Sequence, residues 1–359
     1  MSRSSVPLVL AAAVSLLASP AFATKYAAEF LKIPVGPRAM GMGGAFTAVA
    51  DDATAPYWNP AGMVYLPYRE VIVQHSEQFG NLLNHDYASA VFPLGGPAGR
   101  EAALGISINR LATDDIPITP RPEGLRPAFD FQDDNGNGVW DPGERLLIKA
   151  DDLYLASASD LAGMVSYARH HGTRWTFGGN LKFIRQSIPD STRGAHVTSF
   201  GAGVDVGATY MPSDAVTIGA IVRDLTTTYI AWSYGPHEIV SPTLDTGAAF
   251  TFFPAPHHAL TWAIDLAWGF ERRRLDSQIT IGGQTWDVRT GLEYWYRNLV
   301  ALRAGAAGKD LDFGLGLRYK HFGADYAASL PRFFAAGDSQ FPDEQNLDIT
   351  HQVALGVSW

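Results

Sequence analysis

The chain has 359 residues, a formal net charge of −9 and no cysteine, which excludes disulfides, thiolate metal centres and cysteine nucleophiles. The acidic balance speaks against a nucleic-acid partner, and 36 glycines with 12% aromatics speak for many strands packed around small residues. Mean hydropathy is −0.02, and after residue 23 no apolar run nears the roughly 20 residues of a spanning helix, so any crossing of a membrane falls to strands.

Residues 1–23 read as an export signal. Arg3 supplies the positive region, residues 6–17 the short apolar stretch and Ala21-Phe22-Ala23 the small-x-small site, so cleavage is expected before Thr24. An apolar run of about 12 residues is too short to anchor the chain as a spanning helix.

Residues 24–65 show no alternation. They carry a glycine-rich run from Gly36-Pro37-Arg38-Ala39-Met40 through Gly41-Met42-Gly43-Gly44-Ala45, then Ala50-Asp51-Asp52, then Asn59-Pro60-Ala61-Gly62. The run lacks the GxGxxG spacing and follows no hydrophobic strand, so it is not a nucleotide loop.

From residue 66 onward, period two dominates. Leu260, Trp262, Ile264, Leu266, Trp268 and Phe270 share one face against Thr261, Ala263, Asp265, Ala267 and Gly269. Leu311, Phe313, Leu315, Leu317 and Tyr319 likewise oppose Asp312, Gly314, Gly316, Arg318 and Lys320. Such alternation is strand geometry. Fourteen strands are expected, near 68–77, 84–94, 101–112, 157–170, 174–187, 197–211, 214–225, 244–253, 258–271, 286–297, 299–307, 311–321, 323–330 and 347–359. They run about 10–13 residues, against about 5–6 in a soluble sandwich. One face is bulky with aromatics at the strand ends; the other is glycine punctuated by charges. That pattern is inside-out for a soluble protein and suits lipid outside with a polar lumen inside. The expectation is an all-β, transmembrane antiparallel β-barrel in a bacterial outer membrane, with outer-membrane lipid around it. The last strand places Val353, Leu355, Val357 and the terminal Trp359 on one face, which resembles the signal read by the outer-membrane assembly machinery.

The sharpest local motif lies in the long insertion 113–152, expected to face the outside. The run 133–144 fits the D-x-[DN]-x-[DN]-G-x5-E calcium pattern. Asp133, Asn135 and Asn137 would give side-chain oxygens, Val139 its carbonyl, Asp141 a direct or water-mediated contact and Glu144 both oxygens, with Gly138 at the sharp turn. No flanking helices are evident, so a Ca2+-stapled loop is expected, with affinity on the order of 10⁻⁴–10⁻³ M as in extracellular modules. No hydrolase or P-loop motif is present. The pairs His170-His171 and His257-His258 point to opposite faces of a strand, so neither pair can hold one metal. A non-enzyme is expected.

The N-terminal residues carry a resemblance. The Gly-x-Arg-Ala-Met-Gly-Met-Gly-Gly-Ala run, the Ala-Asp-Asp and Asn59-Pro60-Ala61-Gly62 resemble, in order and spacing, the N-terminus of the PorV/PorQ family, within the wider FadL-like group of outer-membrane proteins. The resemblance implies a 14-stranded barrel (66–359) whose segment 24–65 folds into the lumen as a hatch. Arg38, Gly41, Gly43, Gly44, Asp51, Asp52, Asn59, Pro60, Ala61 and Gly62 would form the hatch motif. Physically, small residues suit close packing against a wall, and Arg38, Asp51 and Asp52 can pair with the inward charges Arg223, Arg289, Arg303, Asp265 and Asp312. The FadL branch implies passage of hydrophobic small molecules; the PorV branch implies a type IX secretion component that binds exported proteins.

Overall fold

The computed structural model describes residues 28–78, 82–95, 101–118, 132, 134–137, 141, 143–144, 154–190, 195–235, 237–270, 277–331 and 349–359. The export signal, Thr24, Asp133, Gly138 and Val139 lie outside the described residues.

Fourteen antiparallel strands form the wall. Its first half comprises β1 (Glu70–Gln78), β2 (Leu83–Leu94), β3 (Ala102–Ile118), β4 (Tyr154–His171), β5 (Trp175–Asp190), β6 (Ala195–Ser213) and β7 (Val216–Arg223). The second half comprises β8 (Thr243–Ala255), β9 (His258–Gly269), β10 (Gln284–Tyr296), β11 (Val300–Ala307), β12 (Asp310–Tyr319), β13 (Phe322–Leu330) and β14 (Thr350–Ser358). Each strand pairs with the next, and β14 pairs with β1 through Glu70↔Ser358 to Glu77↔His351, which closes the ring and leaves it no free edge. Three short strands, Thr228–Trp232, Glu238–Val240 and Ile279–Ile281, extend the sheet above this wall.

The pleat sorts side chains as the alternation requires. Ile106, Leu181, Leu315 and Leu355 on the outside are each more than half exposed, whereas Asp205, Asp265, Glu293 and Arg303 are buried within. An apolar exterior over a charged interior is stable only if lipid surrounds the barrel. On β9 the outward row runs from His258 to Trp268, and on β10 from Tyr296 to Trp286. Ten steps of roughly 3.3 Å, tilted by about 40°, span about 25 Å, the height of an outer-membrane apolar band. Aromatics mark both edges: Trp268 stacks on Trp286 at 4.6 Å, and His258 bonds the Tyr294 hydroxyl at 2.6 Å.

Glu70 and Ser358 share one rim, where the connections between strands are short; the segments 119–153, 224–242, 270–283 and 331–349 join strands at the other rim. Long loops face outward, so the latter rim is the external one.

The wall is not of even height. Strands β3 to β6 have 17, 18, 16 and 19 residues, longer than their sequence pattern indicates, whereas β11 has 8 and β14 has 9. The pairing of β3 with β4 shifts register between Thr113 and Ile116, with Asp115 at φ 57, and then continues to Ile118↔Tyr154. Alternation ends at that bulge, so the pattern hides the upper hairpin.

Residues 28–66 occupy the lumen. They form two single-turn helices, α1 (Pro37–Met40) and α2 (Ala55–Trp58), and two 3-10 turns, Glu29–Lys32 and Pro60–Tyr65. Proline opens α1 and the second 3-10 turn, a position where its missing N–H costs nothing. The segment packs its own apolar cluster against the wall, with Val35, Met42, Phe46, Trp58, Met63 and Leu66 all buried.

Candidate functional site

The inward glycines are the seat of the luminal segment. Gly41 lies on Gly314, Gly43 on Ala306 and Gly305, Met42 on Gly291, Thr47 on Gly219 and Gly247, Asn59 with Pro60 on Gly207, and Pro60 with Ala61 on Gly178. At Gly178, Gly219, Gly291 and Gly305 a side chain would strike the segment's backbone, at Gly207 the Asn59 side chain, and at Gly247 the wall's own Asp265. Gly43 has φ +65 and its missing Cβ would come 2.6 Å from the Ala306 nitrogen, so only glycine fits there.

Polar clamps fix the segment from one side. Arg38 meets Glu293 through two hydrogen bonds of 2.8 Å, and also holds Asp51 at 2.5 Å and Asp52 at 3.1 Å. Glu293 in turn accepts from Arg303 at 2.7 Å, and Arg303 reaches Asp325 at 2.8 Å. Burial opposes charge on Arg38, but Asp51, Glu293 and Asp52 outweigh it and hold the guanidinium pKa well above its ordinary value. The acidic pair thus bonds within the segment, and Arg38 carries the link to the wall; Asp51 and Asp52 do not themselves reach Arg223, Arg289 or Arg303 by any bond among the described residues.

A second clamp uses backbone groups. One Asp265 oxygen accepts from Phe46 and Thr47 at 2.9 and 2.8 Å. Arg223 donates to the carbonyls of Tyr57 at 2.6 Å and Trp58 at 3.3 Å, which satisfies the open end of α2, and pairs with Asp245 at 3.3 Å. Asn180 donates to the Pro56 carbonyl at 2.7 Å. Beside it Lys182 is held by Asp205 at 3.1 Å and Asp224 at 2.7 Å.

Asn59 is the hinge of the Asn-Pro-Ala run. Its oxygen accepts from the Ala61 amide at 3.2 Å, while its amide donates to Thr47 at 2.9 Å and to Ala208 on β6 at 3.3 Å. The residues 59–62 are fully buried.

Above the segment, at the external rim, opens a cavity of about 800 Å³. Gly43, Gly44, Tyr57 and Trp58 form its floor, and Asp245, Asp287, Arg223 and Arg289 line its sides. Tyr57 and Trp58 meet edge to face at 5.1 Å. Arg289 lays its stem over Gly44, and Asp312 also lines the cavity.

Of the candidate calcium ligands, four lie among the described residues and converge. Asp141 accepts from the Asn135 and Asn137 amides at 2.5 and 2.7 Å, and Glu144 accepts from the Asp134 and Asp141 backbone at 3.1 and 2.9 Å. Among the described residues no group of three or more His, Asp or Glu is poised to hold a metal. Val353, Leu355, Val357 and Trp359 all stand exposed on the outer face of the barrel's last strand or just beyond it.

Sequence reasoning named neither Gln74, which accepts from Gly36 at 2.5 Å, nor Gln352, which donates to Pro34 at 2.8 Å. Glu293 is not among the inward charges named from the sequence. Its register opposite Arg303 is the signal that ties it to the clamp.

Residues 3–88 match the model of an uncharacterised protein family, UPF0164. No curated protein matches the sequence. Among solved structures, the Ralstonia pickettii toluene transporter TbuX is similar with a TM-score of 0.51 at 15% identity, over 90% of this chain and 97% of that one. The CymD monoaromatic hydrocarbon channel gives 0.54 at 13% identity, over 91% and 98%. A Pseudomonas aeruginosa FadL homologue gives 0.50 at 11% identity, over 91% and 98%. At these identities the likeness is one of fold: a transmembrane, FadL-like 14-stranded barrel.

Proposed function

We propose that this barrel, of PorV/PorQ type, carries hydrophobic small molecules across the outer membrane. The observation that carries the reading is the cavity of about 800 Å³ at the external rim, floored by Tyr57 and Trp58 on the luminal segment. Such a concave site, with Tyr57 and Trp58 on its floor and charged groups on its sides, suits a small ligand whose apolar part meets the aromatic floor. Barrels of this fold include a toluene transporter and a monoaromatic hydrocarbon channel, which supports the same class of cargo. The test is uptake of aromatic hydrocarbons and long-chain fatty acids by cells or liposomes bearing the protein. Asn59→Ala removes three hydrogen bonds of ~1 kcal/mol each and is expected to lower uptake several-fold. Indifference of the wild-type protein to every apolar cargo would sink the reading.

A second reading takes the barrel as a type IX secretion component that binds exported proteins at its external mouth. The multiply clamped segment favours it, because a lumen held shut suits docking better than flow. Co-purification of exported proteins carrying a sorting domain, with no uptake of apolar cargo, would decide for it.

We also propose that the loop 133–144 binds Ca2+. Support comes from the ligand spacing and from the convergence of Asn135, Asn137, Asp141 and Glu144; turning the two amides would present their oxygens to the ion. Millimolar Ca2+ is expected to protect residues 119–153 from protease, with reversal by chelator and loss of the effect in Glu144→Gln. Equal cleavage with and without Ca2+ would refute the site.

A further inference from the structure

The rim of short turns has a charge of its own. Arg69, Arg169, Arg174, Arg297 and Lys320 stand exposed on its strand ends and turns, with Glu101 and Asp214 as the exposed acids among the described residues there. The external rim is acidic instead, with Asp114, Asp115, Asp190, Glu238 and Asp310 on its strand ends and loops. Two of the rim cations are already seated on aromatic rings. Arg297 lies over Tyr296 at 5.3 Å and Lys320 over Tyr319 at 5.4 Å. Arg169 has no such seat. Among the described residues its guanidinium makes no ion pair, hydrogen bond or ring contact, although Glu101 stands at the end of the neighbouring strand.

The turn between β4 and β5 builds a pocket around this arginine. The two strands pair Arg169 with Phe177 and His171 with Trp175, so four exposed, outward side chains close the hairpin as a square. His171 meets Phe177 edge to face at 6.1 Å. Trp175 stacks on Phe177 at 6.0 Å and on Tyr210 of β6 at 4.5 Å. Arg169, His170, His171, Gly172 and Phe177 line a cavity of about 550 Å³. Gly172 turns the chain at φ +68, and a Cβ there would meet nothing within 4 Å, so the approach past the turn is open.

Aromatic girdles mark the edges of the apolar band, so Trp175 and Tyr210 set this pocket at the height of the lipid headgroups. A guanidinium at that level, with no acid to neutralise it, suits a phosphate through charge-assisted, bidentate hydrogen bonds. From the pocket the outward row continues into the band through Phe177, Tyr167 and Leu104, each more than 40% exposed. A ligand with both a phosphate and apolar chains matches both parts; a bare anion matches one. The acids of the external rim would repel such a head, which leaves the leaflet on the side of the short turns.

We propose that the β4–β5 turn binds an anionic phospholipid of the inner leaflet. Its phosphate diester lies between Arg169 and His171, and its chains run along Phe177, Tyr167 and Leu104. A head without a cation of its own fits best, because a choline head would bring its ammonium towards Arg169 and Arg174. The site serves a transporter and a secretion component alike, so it stands apart from the cargo.

The test is native mass spectrometry of the purified barrel in dodecyl maltoside, titrated with dioctanoyl-phosphatidylglycerol, dioctanoyl-phosphatidylcholine or inorganic phosphate. Arg169→Gln is expected to weaken phosphatidylglycerol about tenfold through loss of one charge-assisted contact, with the heat-modifiable barrel retained. Should that variant not fold, Arg169→Lys serves: it keeps the charge, loses the fork and is expected to weaken binding severalfold. Arg185→Gln is the control, since Arg185 is also exposed and unpaired among the described residues but lies ten residues along β5 from Trp175. It is expected to titrate as the wild-type protein does. Phosphatidylcholine is expected to bind the wild-type protein severalfold more weakly than phosphatidylglycerol. Unchanged binding in the Arg169 variants overturns the site, and so does an equal loss in Arg185→Gln, which would mark a general effect of charge. Phosphatidylcholine matching phosphatidylglycerol overturns the preference for an anionic head. Displacement of phosphatidylglycerol by equimolar inorganic phosphate would reveal a bare-anion site and overturn the lipid.

Discussion

Replacing Arg38 by methionine is expected to destabilise the barrel by about 3–5 kcal/mol, measured by urea unfolding in detergent micelles, because it strands buried carboxylates. Arg38 is the joint of the clamp: Glu293 keeps only Arg303, and Asp52 loses its cation altogether among the described residues. Glu293→Gln is expected to cost a comparable amount, since it leaves Arg38 and Arg303 facing a neutral amide. The double variant should cost clearly less than the sum, because each change removes the same contact. A loss below about 1 kcal/mol for Arg38→Met would mean that the network is solvated and that packing alone holds the segment.

Replacing Gly43 by valine is expected to unseat the segment while leaving the wall intact. A β-branched residue at φ +65 costs about 1–3 kcal/mol by backbone strain alone, and its Cβ would also overlap the Ala306 backbone, which cannot move without breaking the β11 ladder. The expected result is protease cleavage within residues 36–50 and a rise in ion conductance across a planar bilayer, with the heat-modifiable barrel retained. Gly44→Ala is the control. Its φ is +70, but the new methyl meets the flexible Arg289 stem at 3.3 Å and not backbone, so a milder effect is expected. If both variants conduct equally, close backbone approach at Gly43 is not what seats the segment.

Much of the wall was legible from residues 260–270 and 311–320, because a lipid-facing strand must alternate and a wide barrel repeats that pattern around the ring. The glycines were legible as small inward residues; the reason for them was not, since it lies in a segment far away in the chain that lies directly on them. Arg38 was named as a partner for inward charges, but Glu293 was not, because a single sequence carries no register across 255 positions. Asp265 was expected to meet a side chain and instead takes two backbone amides, which have no signature in sequence. The upper hairpin of β3 and β4 went unseen because the bulge at Asp115 breaks the two-residue period.

The luminal segment also dictates an order of events. Its residues leave the ribosome first, yet Arg38 waits for Glu293 and Pro34 waits for Gln352, 318 residues downstream. Such distant pairings make for slow maturation. The β1–β14 seam and the contacts of the segment thus join the two ends of the chain, and both complete only after the last strand is made.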